Sequence, residues 1–153
     1  MREELPDDLP LPPIGRARVA RAGTDLTLIA WSAMVGTALE TAAALEAHGI
    51  SAEVIDLRTL LPLDMDCIAD SVSRTHHVLI AQEAVLNAGI GAEIAARIGG
   101  EMFDELDAPV ERVGCPFAPI PFAPELERAL LPGSAAIVSA ARELLGVPSV
   151  VRG

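Results

Sequence analysis

The stretch that decides the fold is residues 52–64, which read Ala-Glu-Val-Ile-Asp-Leu-Arg-Thr-Leu-Leu-Pro-Leu-Asp. Its apolar part, residues 54–57, is typical of a strand buried in a parallel sheet. An Arg-Thr turn then leaves the sheet, and Pro-Leu-Asp leads into a helix. Asp64 is suited to cap this helix, which the apolar spacing extends to about Arg74. The stretch therefore predicts a strand, a turn and a helix, in the order that an α/β sheet requires.

The same alternation continues on both sides of this stretch. Apolar runs predict further core strands at residues 26–31, 77–81 and 110–113. Apolar residues three and four apart predict helices: one capped by Ser32 and ended by Gly49, one over residues 89–106, one over 124–131, and one capped by Ser134 and ended by Gly146. Alternating arginines at residues 16–21 predict an antiparallel edge strand. The fold class is therefore α/β, with three layers: a mostly parallel sheet of about five strands and helices on both faces.

Proline and charge mark the ends of the domain. Residues 1–13 contain four prolines and four acids, a composition that predicts an extended linker or arm. Residues 14–146 form the predicted domain, and residues 147–153 a tail.

Composition limits the classes of function. The net charge of −11 argues against nucleic acid, whose phosphates need a basic face. It is compatible with a basic protein partner, or with an acidic surface that only keeps the protein soluble. No apolar run reaches the roughly 18–20 residues that span a bilayer, and no signal peptide is visible. The two cysteines have no Cys-x-x-Cys spacing, so we expect buried free thiols in a cytoplasmic protein.

Few residues carry obvious chemistry. Glu83 is predicted to lie just past the carboxyl end of a core strand, where open α/β sheets place their functional crevice; it could equally be a solvated loop acid. Gly89 and Gly91 open a helix, whose free amides could hold an anion, although tight backbone packing is the plainer explanation. Cys67, Cys115 and the three histidines show no catalytic or metal-binding spacing.

Several motifs, taken together in their order, resemble one family. They are Ile14-Gly15-Arg16-Ala17-Arg18-Val19, Gly23-Thr24-Asp25-Leu26-Thr27, residues 52–64, Glu83, Gly89-Ile-Gly91-Ala92-Glu93-Ile94, Leu106-Asp107-Ala108-Pro109-Val110 and Pro119-Ile-Pro121-Phe122-Ala123-Pro124. Over about residues 14–146 the chain is similar to the transketolase C-terminal-like domain of E1 β subunits. These belong to thiamine-diphosphate-dependent 2-oxoacid dehydrogenases of the pyruvate, branched-chain or acetoin type.

The resemblance implies a domain that assembles subunits and docks partners. The implied partners are the E1 α subunit, a second β subunit and the basic peripheral-subunit-binding domain of the E2 acyltransferase; a homodimer is also possible. Thiamine diphosphate and Mg²⁺ would belong to the whole oxidoreductase, since the Gly-Asp-Gly diphosphate motif is absent here, and no activity is expected from this chain alone. The candidate crevice or interface then comprises Glu83, Gly89, Gly91, Pro119, Pro121 and Phe122.

The chain also departs from the family pattern. Ala84-Val-Leu-Asn-Ala88 lacks the usual basic residue and further glycine. Gly114-Cys-Pro-Phe-Ala118 replaces Gly-x-Asp-Val, and Phe122 stands where relatives have Tyr. Two alternatives therefore stay open: a stand-alone small-ligand-binding or regulatory domain that uses the crevice at residues 83–91, and the equivalent domain of another transketolase-type enzyme.

Overall fold

The computed structural model describes residues 11–147, so most of the predicted linker and tail lies outside the described residues. The domain boundaries therefore stay predictions. The chain forms the following elements: β1 Arg18–Arg21, β2 Leu26–Ala30, α1 Met34–Glu46, β3 Ala52–Asp56, α2 Met65–Thr75, β4 Val78–Val85, α3 Ile90–Glu101, a 3₁₀ turn Phe103–Glu105, β5 Glu111–Cys115, α4 Pro124–Leu130 and α5 Ser134–Leu144.

The predicted sheet is confirmed. Its order is β1-β3-β2-β4-β5. β1 pairs antiparallel with β3 at one edge, and all the other pairs are parallel. Parallel strands end on the same side of a sheet, so the segments that follow β2, β3, β4 and β5 share one edge, which we call the carboxyl edge.

Two apolar clusters make the three layers. One face of the sheet packs against α1 and α5, through residues such as Leu28, Leu45 and Ile137. The other face packs against α2 and α3, through residues such as Ile55 and Ile98. β2 contributes to both clusters, as expected for a strand whose alternate side chains point to opposite faces. The covered sheet is therefore a rigid platform for the segments at its edges.

Of the three helix N-caps predicted from the sequence, one is confirmed and two are wrong. The Asp64 cap is confirmed: its Oδ1 accepts from the Cys67 amide at 3.2 Å, and its Oδ2 accepts from the Ala17 amide at 2.9 Å. The Ser32 cap is wrong, because Ser32 has φ 54° and forms a turn two residues before α1. The Ser134 cap is also wrong: Ser134 is the first residue of α5, and its hydroxyl accepts from Thr41 Oγ1 at 3.1 Å.

Two elements differ in length from the prediction. β4 continues to Val85 instead of ending at residue 81. α3 ends at Glu101 and is followed by the 3₁₀ turn, so the helix predicted to residue 106 stops earlier, although it passes through Gly99 and Gly100. No helix within residues 11–147 is long and apolar enough to cross a bilayer.

Candidate functional site

Glu83 lies inside β4, so its predicted place in a loop after the strand is wrong. The strand irregularity falls between Ala81 and Val85, and Val85 then pairs with Cys115 of β5. Glu83 is half-buried. Burial is the larger cause of the raised pKa of the Cys115 thiol, and the negative charge of Glu83 is the smaller cause. The strand therefore carries this carboxylate along the border with β5 rather than out into a loop.

Gln82 explains why the strand continues, and sequence reasoning missed it. Its side chain is 0% exposed. Nε2 donates to the Val85 carbonyl at 2.9 Å and lies 3.4 Å from the Ala84 carbonyl, while Oε1 accepts from the Gly91 amide at 3.0 Å. A buried carboxamide needs such partners. Gln82 therefore ties the end of β4 to the first turn of α3. The only signal in the sequence was a polar residue directly after an apolar run.

Glycine is required at positions 89 and 91 because the Gln82 side chain and the end of β4 occupy the space that a Cβ would fill. A Cβ on Gly89 would lie 2.6 Å from the Val85 carbonyl oxygen, and a Cβ on Gly91 would overlap the Gln82 carboxamide. The Gly91 amide is already bonded, which disfavours the alternative of an anion held there and favours tight packing. The structure thus groups Gly89 and Gly91 around Gln82, and the use of this crevice by a ligand stays a prediction.

The other three predicted residues lie in an exposed segment, which we call the arm and define as residues 116–131. No residue of α4, which lies within the arm, is buried. Phe122 is 102% exposed and Phe117 79% exposed, and Ile120 and Leu126 are also exposed. Four apolar side chains on one short segment are unusual for a surface that faces only water. The arm therefore has the character of an interface.

A shallow apolar recess of about 300 Å³ joins the arm to β4. It is lined by Val85, Phe117, Ala118 and Pro119. Of the six predicted residues only Pro119 lines this recess; Phe122 projects into solvent, and Pro121 is half-buried. The arm begins directly after β5, and β5 is bonded to the segment that follows β4: the Leu86 amide donates to the Cys115 carbonyl at 3.2 Å, and Arg112 Nη1 donates to the Leu86 carbonyl at 2.8 Å. The arm is therefore fixed at its base to the segment that follows β4.

The cysteines are poor nucleophiles. Both thiols are free. Burial, followed by the charge of Asp64, raises the pKa of Cys67, and the pKa of Cys115 is raised as described above. Because the thiolate is the reactive form, a raised pKa makes both side chains less reactive at neutral pH. Cys115 is the last residue of β5, which continues two residues beyond the strand predicted to end at residue 113.

The arrangement supports binding better than chemistry. Within residues 11–147 no three His, Cys, Asp or Glu side chains are grouped so as to hold a metal ion. The Gln82 carboxamide, near the carboxyl edge, is buried, and its hydrogen bonds go to backbone partners. The arm at this edge exposes four apolar side chains, a feature that suits the apolar centre of a protein–protein contact.

Comparisons with known proteins agree with the sequence pattern. Residues 15–137 match the family model described as transketolase, C-terminal domain. The chain is 45% identical over 150 residues to the beta subunit of acetoin:2,6-dichlorophenolindophenol oxidoreductase from Bacillus subtilis (strain 168), covering 98% of the chain and 44% of that subunit. It is 43% identical over 146 residues to the mitochondrial pyruvate dehydrogenase E1 component subunit beta of Caenorhabditis elegans, covering 95% and 41%. The chain spans less than half the length of these relatives.

Solved structures confirm the fold. A split-gene transketolase, described as an inactive beta4 tetramer, superposes with a TM-score of 0.78 at 30% identity and covers 97% of the chain and 47% of that protein. A 2-oxoglutarate:ferredoxin oxidoreductase from Magnetococcus marinus gives a TM-score of 0.55 at 12% identity over 85% of the chain and 19% of that protein, and shares the fold alone. The resemblance predicted from the sequence is confirmed, and the relatives favour the dehydrogenase β subunits.

Proposed function

Because the chain belongs to the transketolase C-terminal domain family, we propose that it acts as the assembly and partner-docking domain of an E1 β-type subunit in a 2-oxoacid dehydrogenase. The chemistry of oxidative decarboxylation is supplied elsewhere in the enzyme. The observation that carries this proposal is the arm, because it exposes several apolar side chains that a subunit or partner protein can bury.

Burial of the arm against a partner is energetically favourable. Phe117 and Phe122 expose most of their surface, and burying a Phe, Leu or Ile side chain contributes roughly 1.5–3 kcal/mol. Aromatic anchors commonly dominate the binding energy of an interface. Prolines at 116, 119, 121 and 124 restrict the backbone, so less conformational entropy is lost on binding. The arm therefore favours a stable subunit contact.

The proposed cofactors of the whole enzyme are thiamine diphosphate and Mg²⁺. The described residues of this chain do not fit them. Within residues 11–147 no acid or histidine cluster offers magnesium ligands, and the Gly91 amide, the natural candidate for a diphosphate oxygen, is bonded to Gln82. We therefore assign the cofactor to another domain or subunit and derive no catalytic step for this chain.

The proposed partners follow from the family. They are an E1 α subunit, a second β subunit and the basic peripheral-subunit-binding domain of the E2 acyltransferase, to which the net charge of −11 is complementary. The similar split-gene transketolase is described as an inactive beta4 tetramer, which supports self-association of this chain as a homodimer or larger; we assign the contact to the arm because of its exposed apolar side chains. The two free thiols are compatible with a cytoplasmic location, which is part of the proposal.

Sedimentation velocity over a range of protein concentrations tests the assembly role. We expect the unmodified chain to self-associate, and the double variant Phe117→Ser/Phe122→Ser to sediment as a monomer with an unchanged circular dichroism spectrum. Phe103→Ser is the matched control, because Phe103 is 73% exposed but lies outside the arm. A chain that stays monomeric throughout, or arm variants that associate like the unmodified chain, would contradict self-association through the arm.

A dye-reduction assay tests the absence of catalysis. The purified chain is mixed with thiamine diphosphate, Mg²⁺, a 2-oxoacid and 2,6-dichlorophenolindophenol. We expect no reduction above the protein-free rate. Substrate-dependent reduction by this chain alone would refute the non-catalytic role.

A further inference from the structure

The carboxylate of Glu83 has no partner in the described part of the domain. It is half-buried in β4, and within residues 11–147 no ion pair or hydrogen bond engages this side chain. A charge that is held partly out of water is stabilised by an opposite charge at short range. The position of Glu83 therefore suits a cation that another chain supplies.

Strand geometry places Glu83 beside the apolar recess at the base of the arm. Residues two apart in a strand point to the same face, so Glu83 shares its face with Val85, which lines the recess. Val85 pairs with Cys115 of β5, and Phe117, two residues further along the chain, also lines the recess. Burial and then the charge of Glu83 raise the pKa of the Cys115 thiol, which agrees with this placement. The recess therefore has an apolar centre and a negative border.

The arm carries the complementary groups. Phe122 is 102% exposed, so the recess of its own domain leaves this ring in water. Arg128, on α4, is the only basic residue of the arm. It is exposed, its Nε donates to the Pro124 carbonyl of its own helix at 3.1 Å, and no ion pair within residues 11–147 includes it. The arm therefore presents an aromatic ring and a cation to a partner.

The spacing of the two pairs of groups is compatible. Phe122 lies two residues before α4, and Arg128 is the fifth residue of this helix. At about 3.3 Å per extended residue and 1.5 Å per helical residue, their Cα atoms are at most about 13 Å apart. Val85 and Glu83 are about 7 Å apart along β4. The long arginine side chain can span the difference.

A second copy of the chain provides all of these groups. A single chain does not satisfy them, since Phe122 stays exposed and Glu83 and Arg128 form no ion pair with each other. Each copy carries both the arm and the recess, so in a two-fold dimer the same contact forms twice. Two recesses then cover two phenylalanine rings, and two ion pairs form.

We propose that two copies of this chain dock the arm of each on the recess of the other. The Phe122 ring of one copy packs against Val85 and Phe117 of the second copy. Arg128 of one copy pairs with Glu83 of the second copy. This inference rests on the self-association in the proposed function and specifies the contact that produces it.

A charge swap tests the ion pair, with the dimer dissociation constant measured by sedimentation velocity. Glu83→Arg and Arg128→Glu should each raise this constant at least about tenfold, because each brings like charges together. The double variant Glu83→Arg/Arg128→Glu should return it to within about threefold of the unmodified chain. The matched control Arg58→Glu makes the same charge change at an exposed position outside the arm and should change the constant by less than about twofold.

Folding of the variants is verified by thermal unfolding. If Glu83→Arg unfolds, Glu83→Gln replaces it, because the carboxamide keeps the shape of the side chain and removes only the charge. Glu83→Gln should raise the dimer dissociation constant about threefold. In the Arg128→Glu background it should have no further effect, because the ion pair is already lost.

A charge in the recess tests the position of Phe122. Ala118 lines the recess and is exposed, so Ala118→Glu should fold. It should raise the dimer dissociation constant at least about tenfold, because the Phe122 ring would then cover a charge. The matched control Ala96→Glu makes the same change at an exposed position of α3 and should have an effect below about twofold.

Four results would overturn the inference. A charge swap that leaves association as weak as in the single variants would exclude a direct ion pair. Equal effects of Arg58→Glu and Arg128→Glu, or of Ala96→Glu and Ala118→Glu, would show a response to net charge alone. Charge variants that dimerise like the unmodified chain, while Phe117→Ser/Phe122→Ser is monomeric, would refute this contact and leave the proposed function intact. An unmodified chain that is monomeric at every concentration would refute both.

Discussion

Replacing Gln82 by Glu turns the buried link between β4 and α3 into a pH-sensitive group. The protonated carboxyl of Gln82→Glu has nearly the shape of the carboxamide. Its O–H can donate to the Val85 carbonyl, and its other oxygen can accept from the Gly91 amide, as Gln82 does at 2.9 and 3.0 Å. The ionised carboxylate keeps the Gly91 bond but brings a negative charge against two carbonyl oxygens. We therefore expect the variant to be folded and stable only while it is protonated.

The magnitude follows from burial. The site is 0% exposed, and full burial without a cation raises a carboxyl pKa by about 3. The folded pKa would then be about 7, against about 4.3 in the unfolded chain. A raised folded pKa gives stability that is present below the unfolded pKa and is lost as pH rises through the folded pKa. At 1.36 kcal/mol per pKa unit, the free energy of unfolding falls by about 4 kcal/mol between about pH 4 and pH 7. This is a large share of a typical 5–15 kcal/mol.

Urea unfolding at several pH values measures this fall. Ala84→Glu is the matched control, since it adds the same charge to the same strand at an exposed position. Near pH 4.5 the two variants should differ by less than about 1 kcal/mol, and near pH 8 Gln82→Glu should be less stable by about 4 kcal/mol. A constant difference at all pH values, or equal stabilities near pH 8, would refute the assignment of the Gln82 hydrogen bonds.

Three further predictions concern local packing. Gly91→Ala should destabilise the fold by about 1–3 kcal/mol, because its Cβ meets a buried side chain. Gly100→Ala should instead stabilise the fold by up to about 1 kcal/mol, because its Cβ has no neighbour within 4 Å. Thermal unfolding should show a lower midpoint for the first variant and a higher midpoint for the second. Asp64→Ala should cost about 2–4 kcal/mol in urea unfolding, since it removes a helix cap and leaves two amides without their acceptor. Cys67 and Cys115 should react with an aromatic disulfide at pH 8 more slowly than free glutathione, and at the glutathione rate in urea, because burial raises both pKa values; fast reaction in the native protein would contradict these directions.

Features that depend on local chemistry could be predicted from the sequence. The Asp64 cap and the left-handed Gly49, with φ 75°, follow from residue types within one turn. The antiparallel edge strand follows from its arginines. Prediction failed where a residue distant in the sequence determines where an element ends. β4 passes residue 81 because the Gln82 side chain finds an acceptor at the last residue of the strand and a donor nine residues away, whereas a polar residue after an apolar run, taken alone, predicts the start of a loop.

In the helix α3, tertiary packing outweighs a local preference. Two consecutive glycines cost roughly 1 kcal/mol each relative to alanine, which favours a kink or an early end at Gly99 and Gly100. The helix nevertheless continues, because Ile94 and Ile98 are fully buried against the sheet, and this packing outweighs the local cost.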